Sequence, residues 1–160
     1  MKYIIIIAAC IFTLYFGLKY IAPAGSYCYA ENYEFAVSET ELINKIEEFK
    51  KNNPQYIPPQ SFKDGRRDSS DYWYCMYIKL PTDDYYISFW VRGNENKKTT
   101  LGLVSANYKL ENISWKNINK DFSSYENKQI KIKFEKMFLD RLELKYDKKG
   151  NSMQFLFFQL

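Results

Sequence analysis

An alternation of side chains with a period of two, running from Tyr72 to Arg92, constrains the fold more than any other feature of this chain. The segment Pro81-Thr82-Asp83-Asp84 interrupts the alternation once, as a turn would. The sequence therefore predicts an antiparallel hairpin in which Leu80 lies opposite Tyr85.

The two faces of this hairpin differ in chemistry. One is mainly aliphatic and carries Met76, Ile78, Ile87 and Phe89. The same register places aromatic rings and one cation on the other face, where the candidate partner-binding residues are Trp73, Tyr77, Tyr86, Trp90 and Arg92. Such residues are enriched where proteins bind partners. The alternative is that a helix covers this face and turns the rings into core.

Two helices are predicted from capping boxes followed by apolar residues at helical spacing. Ser38 and Glu41 open the first, over residues 39–52, which ends before Pro54. Ser123 and Glu126 open the second. A local alternation over residues 130–134 argues for a strand instead, but the cap and the longer apolar stripe favour a helix.

Further strands are predicted over residues 99–108, 112–117 and 142–146, with a turn at 147–151 and a last strand over 153–160. Residues 53–71 form the longest irregular segment, in which Arg66 and Arg67 could hold an anion or belong to an ordinary solvated loop. Together these elements predict an α+β domain over residues 31–160, with a mainly antiparallel sheet of five or six strands and two helices.

The first thirty residues are interpreted as a targeting segment. Lys2 is followed by an uncharged apolar run and then by Lys19 and Ala22-Pro23-Ala24. This is typical of a secretory signal, cleaved after Ala24 or Ala30. As an uncleaved anchor, residues 3–24 would reach about 33 Å as a helix, enough to cross the hydrocarbon core of a bilayer. A lipid attached to Cys10 is a third reading, although the chain beyond it stays apolar.

These three interpretations place the domain outside the cytoplasm, in the cell envelope or secreted. The remaining alternative is that residues 3–18 form a buried helix of a cytosolic protein, which the four consecutive isoleucines and the absence of charge on every face argue against. In an oxidising compartment Cys28 and Cys75 could form a disulfide if cleavage does not follow Ala30. Otherwise Cys75 is expected to be a small buried side chain in a sheet, since no cationic cluster near it in the sequence would lower its pKa.

Composition excludes several function classes. The chain has no histidine, which removes Ser-His-Asp and Cys-His catalysis and the zinc sites that need imidazole. Outside the leader, 21 basic side chains face 19 acidic ones, so no concentrated positive field for nucleic acid is expected. There is no phosphate-binding glycine loop, and no cofactor or metal is predicted.

We therefore expect a non-enzymatic, envelope-facing module that binds a protein or carbohydrate partner through the aromatic hairpin face. Two alternatives are a toxin-neutralising accessory protein and a hydrolase of envelope polymers that uses carboxylates such as Asp64 and Asp68. The carboxylate groupings lie in predicted turns, the loop or a helix's polar side, where water would keep them ordinary.

Overall fold

The computed structural model describes residues 27–68, 71–94, 97–110 and 114–151. Within these ranges the chain forms two α-helices, α1 (Glu39–Asn52) and α2 (Ser124–Met137), and two short 3₁₀ turns, Pro54–Tyr56 and Leu139–Leu142. It also forms six strands: β1 (Glu31–Phe35), β2 (Tyr74–Leu80), β3 (Tyr85–Gly93), β4 (Thr99–Tyr108), β5 (Lys116–Asn117) and β6 (Tyr146–Asn151). The leader and the predicted strand over residues 153–160 lie outside the described residues.

The strands make one antiparallel sheet in the order β2-β3-β4-β1-β6, with β5 also paired to β4. This confirms the predicted α+β class with a six-stranded antiparallel sheet and two helices. The hairpin register is confirmed as well, since Leu80 lies opposite Tyr85 and Cys75 lies opposite Trp90.

Both predicted helices form, and both begin at the predicted caps. The Ser38 hydroxyl accepts a hydrogen bond from the Glu41 amide, 3.2 Å away. At α2 the capping box is complete, with Ser123 and Glu126 each bonding the other's backbone amide. Two orphan amides are thus satisfied at the start of α2, which explains why the helix prevails over the local alternation within it.

The core lies between the helices and the aliphatic face of the sheet. Buried side chains from α1 and α2 pack against that face; they are Leu42, Ile46, Phe49, Ile130 and Phe134. Phe89 of β3 meets the ring of Phe134 at 5.9 Å and that of Phe138 at 5.4 Å. Both helices are therefore on one side of the sheet.

Strand β4 forms where predicted, although its apolar residues Leu101, Leu103 and Val104 do not alternate regularly; a bulge explains this uneven spacing. Phe89 pairs with Leu103 and Ser88 pairs with Ser105, which leaves Val104 without a cross-strand partner in β3. A bulge of this kind shifts the alternation by one residue. Leu101, Leu103 and Ala106 consequently all belong to the core despite their uneven spacing.

Predictions for the chain after α2 were wrong in two places. The expected turn over residues 147–151 is part of β6, an edge strand in the described sheet that pairs with β1, where polar and charged side chains are normal. The expected strand over 142–146 starts with the 3₁₀ turn and a left-handed Glu143, because Leu142 is buried beneath the end of α2. Of the predicted strand over 112–117, only Lys116–Asn117 pairs, residues 111–113 being outside the described ranges.

Strand β1 was missed by the sequence reasoning. Tyr33 and Phe35 are buried on the core side, but the first core-side position holds Glu31, which breaks the apolar alternation. In the described part of the chain, no helix is both long and apolar enough to cross a membrane.

Candidate functional site

The aromatic face of the sheet, opposite the two helices, holds the candidate residues together. Tyr77 and Trp90 alternate with core residues along β2 and β3, and cross-strand pairing brings Lys79 opposite Tyr86 on the same side. No described helix packs on these rings; the described residues that cover them come from loops. The interpretation that a helix makes this face part of the core is therefore not what the described residues show.

The rings form two groups. The first, which we call the Trp73 cluster, consists of Tyr27, Tyr72, Trp73, Trp90 and Arg92. The Trp73 and Trp90 rings are 4.4 Å apart, and Tyr27 meets Trp73 edge-on at 5.4 Å. The guanidinium of Arg92 lies 4.7 Å from the Tyr72 ring and 5.2 Å from the Trp73 ring. This end of the face combines one exposed ring, Tyr72, and the half-buried rings of Tyr27 and Trp73 with an exposed cation.

The second group, the Phe62 cluster, consists of Phe62, Tyr77, Tyr86 and Trp115. Phe62 sits between the others, 5.4 Å from Tyr77, 6.2 Å from Tyr86 and 5.7 Å from Trp115. All four side chains are half-buried. Burial also raises the pKa of Tyr77. The rings come from the long loop, from β2, from β3 and from the segment before β5, and together they form a half-buried aromatic surface.

Trp90 differs from the other candidates because it is only 6% exposed. It lies opposite Gly102, and a Cβ at that glycine would fall 2.2 Å from the indole Cε2. The ring thus occupies the space a side chain at 102 would need. Its Nε1 is buried without a hydrogen-bond partner, which costs about 1–3 kcal/mol. Trp90 is therefore the buried ring of the cluster, against which Trp73 and Tyr27 pack.

The long loop is fastened across the outer edge of β2. Gly65 and Cys75 exchange backbone hydrogen bonds of 2.9 and 3.0 Å, and the Asp64 carboxylate accepts the Tyr77 amide at 2.9 Å. The other Asp64 oxygen accepts a hydrogen bond from Lys50. Two outward amides of an edge strand are thereby satisfied, which protects the edge from pairing with another chain. The same contacts place Phe62 over the sheet.

The two loop arginines have different surroundings. Arg66 donates to the Glu39 carboxylate and, at 2.8 Å, to the Asp71 carbonyl, so its guanidinium serves to hold the loop against α1. Arg67 is exposed. Burial raises the pKa values of Tyr27 and Cys75, and the positive charge of Arg67 offsets part of this rise. Of the two, Arg67 is the more open to an external anion.

Both described cysteines are free thiols in this structure. Tyr27, next to Cys28 in the chain, has its hydroxyl 4.0 Å from the Cys75 sulfur. Burial raises the pKa of the Cys75 thiol, which keeps it protonated and weakly nucleophilic at neutral pH. A disulfide between Cys28 and Cys75 stays a prediction.

A separate cleft of about 270 Å³ opens at the far end of the sheet, between β3, β4 and the start of α2. Three rings line it, from Tyr85, Tyr108 and Phe122, together with Lys116 and Glu126. Hydrogen bonds from Ser123 hold the pKa of Glu126 below its usual range. The lining offers aromatic surface with one cation and one anion.

A buried polar network near β1 was not foreseen. Glu31 is 3% exposed, and its Oε2 accepts hydrogen bonds from Lys131 at 3.1 Å and from the Asn119 side chain at 2.9 Å. Asn119 in turn donates to the Tyr29 carbonyl at 3.0 Å. These contacts join β1, α2 and the turn before α2, so we assign them to the stability of the fold.

The remaining carboxylates are dispersed. Asp83 pairs with Lys133 of α2 at 2.8 Å, and Asp84 pairs with Lys79 at 3.0 Å. A hydrogen bond from Lys133 lowers the pKa of Asp83. Within the described ranges, no group of three His, Cys, Asp or Glu side chains is placed to hold a metal ion.

Sequence reasoning missed Tyr27, Phe62, Tyr72 and Trp115 as members of the aromatic face. The alternation from Tyr72 predicts that this ring shares a face with Met76, but Tyr72 lies before the start of β2 and contacts Arg92 instead. Phe62 is an aromatic ring in an otherwise polar part of the loop, and this contrast is the signal that could have identified it. In comparisons with known proteins, no family model, no curated protein and no solved structure matches the chain.

Proposed function

We propose that this protein is a non-enzymatic binding module facing the cell envelope, and that it recognises a partner protein through the aromatic face. The observation that carries the proposal is the placement of both helices on the opposite side of the sheet. Loops cover the aromatic rings only in part, and a contiguous, partly exposed aromatic surface of this kind is typical of an interaction site.

The chemistry of the face supports a protein partner. Trp, Tyr and Arg are the residue types that most often dominate binding energy, and here Arg92 lies over the rings of Tyr72 and Trp73. The rings are already packed against one another, so little rotamer entropy is lost on binding. A toxin neutralised by this protein is one such partner.

The alternative of a carboxylate-dependent hydrolase has less support. A general acid or base must be able to exchange protons with substrate at the site. Asp64 instead uses its two oxygens to bind Lys50 and the Tyr77 amide, which fixes the loop. Its carboxylate is part of the edge of the sheet.

Capture of partners from a detergent-solubilised envelope extract tests the proposal. One variant pair is Tyr77→Ala and Tyr86→Ala, and a second is Trp73→Ala and Arg92→Ala. Tyr125→Ala is the matched control, since Tyr125 is 74% exposed and lies at the start of α2. Trp90 is left unchanged because its ring is buried, and replacing it would affect the fold.

We expect a specific partner to be retained by the wild-type chain and by the control, and to be lost in at least one of the two pairs. Circular dichroism of each variant separates loss of binding from loss of fold. Retention of that partner by both pairs, with the fold intact, would contradict the proposal.

A carbohydrate ligand is the second candidate, favoured by the cleft beside Tyr85 and Tyr108. Sugar rings stack on aromatic side chains, and the balanced charges of Lys116 and Glu126 suit a neutral polar ligand. Titration with envelope oligosaccharides should show binding that Tyr108→Ala removes and Tyr125→Ala preserves. Equal binding by all three proteins, or none by the wild type, would eliminate this candidate.

A further inference from the structure

The first described residues connect the aromatic face directly to the N-terminal segment. Tyr27 contacts Trp73 and Trp90 at ring-centroid distances of 5.4 and 6.4 Å. Only Gly25 and Ser26 separate it from Ala24, the last residue of the candidate uncleaved anchor, residues 3–24. Three residues of extended chain span at most about 11 Å. The Cα atom of Tyr27, at one edge of the Trp73 cluster, therefore lies within about 11 Å of the end of this candidate anchor.

In the uncleaved form, that distance brings the cluster to the surface of a bilayer. The polar layer on each side of the hydrocarbon core is about 5–8 Å thick. A globular partner cannot be inserted between the cluster and a membrane this close. What can reach the cluster there is the headgroup layer itself.

The cluster has the chemistry that this layer selects. Trp and Tyr are enriched at membrane–water interfaces, where the ring meets hydrocarbon and its polar end meets water. Tyr72 is 68% exposed, and Arg92 is exposed beside it. A guanidinium forms paired hydrogen bonds with phosphate oxygens. Arg67 adds a second exposed cation near Tyr27.

Two carboxylates lie near the cluster in the chain, Asp68 and Asp71. Asp71 is the nearest carboxylate in the chain to Trp73, and its Oδ1 accepts the Trp73 backbone amide at 3.1 Å. Its carbonyl accepts a hydrogen bond from Arg66. Asp71 is thereby held against the local backbone and keeps its charge, while the Arg92 guanidinium is stacked on the rings and exposed to solvent beside Tyr72.

We propose that the Trp73 cluster rests on the phospholipid headgroups of the membrane that holds the N-terminal segment, with Arg92 and Arg67 at the phosphates. This goes beyond the proposed function, because it assigns lipid to one end of the aromatic face in the membrane-held form of the protein. It depends on the retained leader and not on the identity of any partner.

Quenching by brominated lipids in vesicles tests this placement with the full chain reconstituted in phosphatidylcholine and phosphatidylglycerol. Two single-tryptophan variants are compared: one keeps Trp73 (Trp90→Phe with Trp115→Phe), the other keeps Trp115 (Trp73→Phe with Trp90→Phe). Both lack Trp90, so any cost of its removal is shared.

We expect lipids brominated near the headgroup to quench Trp73 emission more strongly than lipids brominated near the chain end. Neither lipid should change Trp115 emission. Arg92→Gln should reduce the quenching of Trp73. Equal quenching of the two tryptophans, or none of Trp73, would overturn the proposal.

A second comparison covers the case in which the single-tryptophan variants fail to fold. Tyr72→Trp and Tyr125→Trp each add one indole at an exposed position of the otherwise wild-type chain. The headgroup-brominated lipid should quench a larger fraction of emission in Tyr72→Trp than in Tyr125→Trp, and the reverse order would contradict the placement. The partner-capture assay contains no bilayer, so either proposal can fail without the other.

Discussion

Replacing Gly102 with alanine should destabilise the protein by driving the Trp90 ring from its place. The added carbon would lie 2.2 Å from Cε2 and 2.3 Å from Cζ2 of the indole, whereas ordinary contact begins at 3.4 Å. Gly102 is paired with Trp90 on one side and with Asn32 on the other, so the backbone has little freedom to retreat. The ring must move instead.

The size of the effect follows from what the ring would lose. Inserting a carbon into a well-packed site costs about 1–3 kcal/mol. We expect the upper end, about 3 kcal/mol, because both neighbouring strands fix position 102 and because Trp90 packs on Trp73 at 4.4 Å. Alanine also lowers the conformational entropy of the unfolded chain relative to glycine, and this offsets only about 0.4–1 kcal/mol of the loss.

Urea unfolding followed by circular dichroism measures the free energy of unfolding, and a double-mutant cycle with Trp90→Leu isolates the clash. In the leucine background the indole is gone, so Gly102→Ala should range from neutral to stabilising by about 1 kcal/mol. The same destabilisation in both backgrounds would refute the reasoning, because the ring could not then be the group that collides with position 102.

Three further predictions concern the rest of the fold. Ser123→Ala should lower stability by about 1 kcal/mol by removing the α2 cap, while Ser124→Ala, one residue later, should leave the thermal midpoint nearly unchanged; equal effects would contradict the cap assignment. Lys131→Met should cost about 3 kcal/mol because it leaves Glu31 buried with one charge partner fewer, whereas Lys45→Met, at an exposed pair, should cost under about 0.5 kcal/mol in urea unfolding. Lys133 lowers the pKa of Asp83 in the folded state, so the pair stabilises the protein above the ordinary pKa of 3.8, and this stability is lost as the pH falls through the folded-state pKa. Asp83→Asn should therefore flatten the acid limb of the stability–pH curve, and an unchanged limb would contradict the pairing.

The elements that sequence reasoning predicted correctly are those specified by neighbours in the chain. The β2–β3 register follows from a short turn and an uninterrupted alternation, and the two helices follow from Ser38 and Ser123 at their caps. Strands β1 and β6 were not predicted as a pair because their partners are over a hundred residues apart. Glu31 and the charges of β6 also hide the usual alternation, and only the fold supplies Lys131 and Asn119 to satisfy Glu31.

The residues of the candidate site likewise divide into those that the local pattern predicts and those that tertiary contacts bring in. The hairpin pattern alone placed Tyr77, Trp90 and Tyr86 on one face. Phe62 and Trp115 join them only because tertiary contacts, such as the Gly65–Cys75 bridge, lay their segments over the sheet. Nor could the pattern show that Trp90 is buried, since that depends on the absence of a side chain at Gly102 in the neighbouring strand.

Oxidative footprinting of tyrosine in intact envelopes is the most direct test of the claim that the aromatic face is an interaction surface. Tyr72 and Tyr125 are 68% and 74% exposed, so hydroxyl radicals should modify both at similar rates in the purified chain. In the envelope we predict that Tyr72 is protected while Tyr125 still reacts. Equal modification of the two tyrosines in the envelope, with no protection of Tyr72, would contradict the claim.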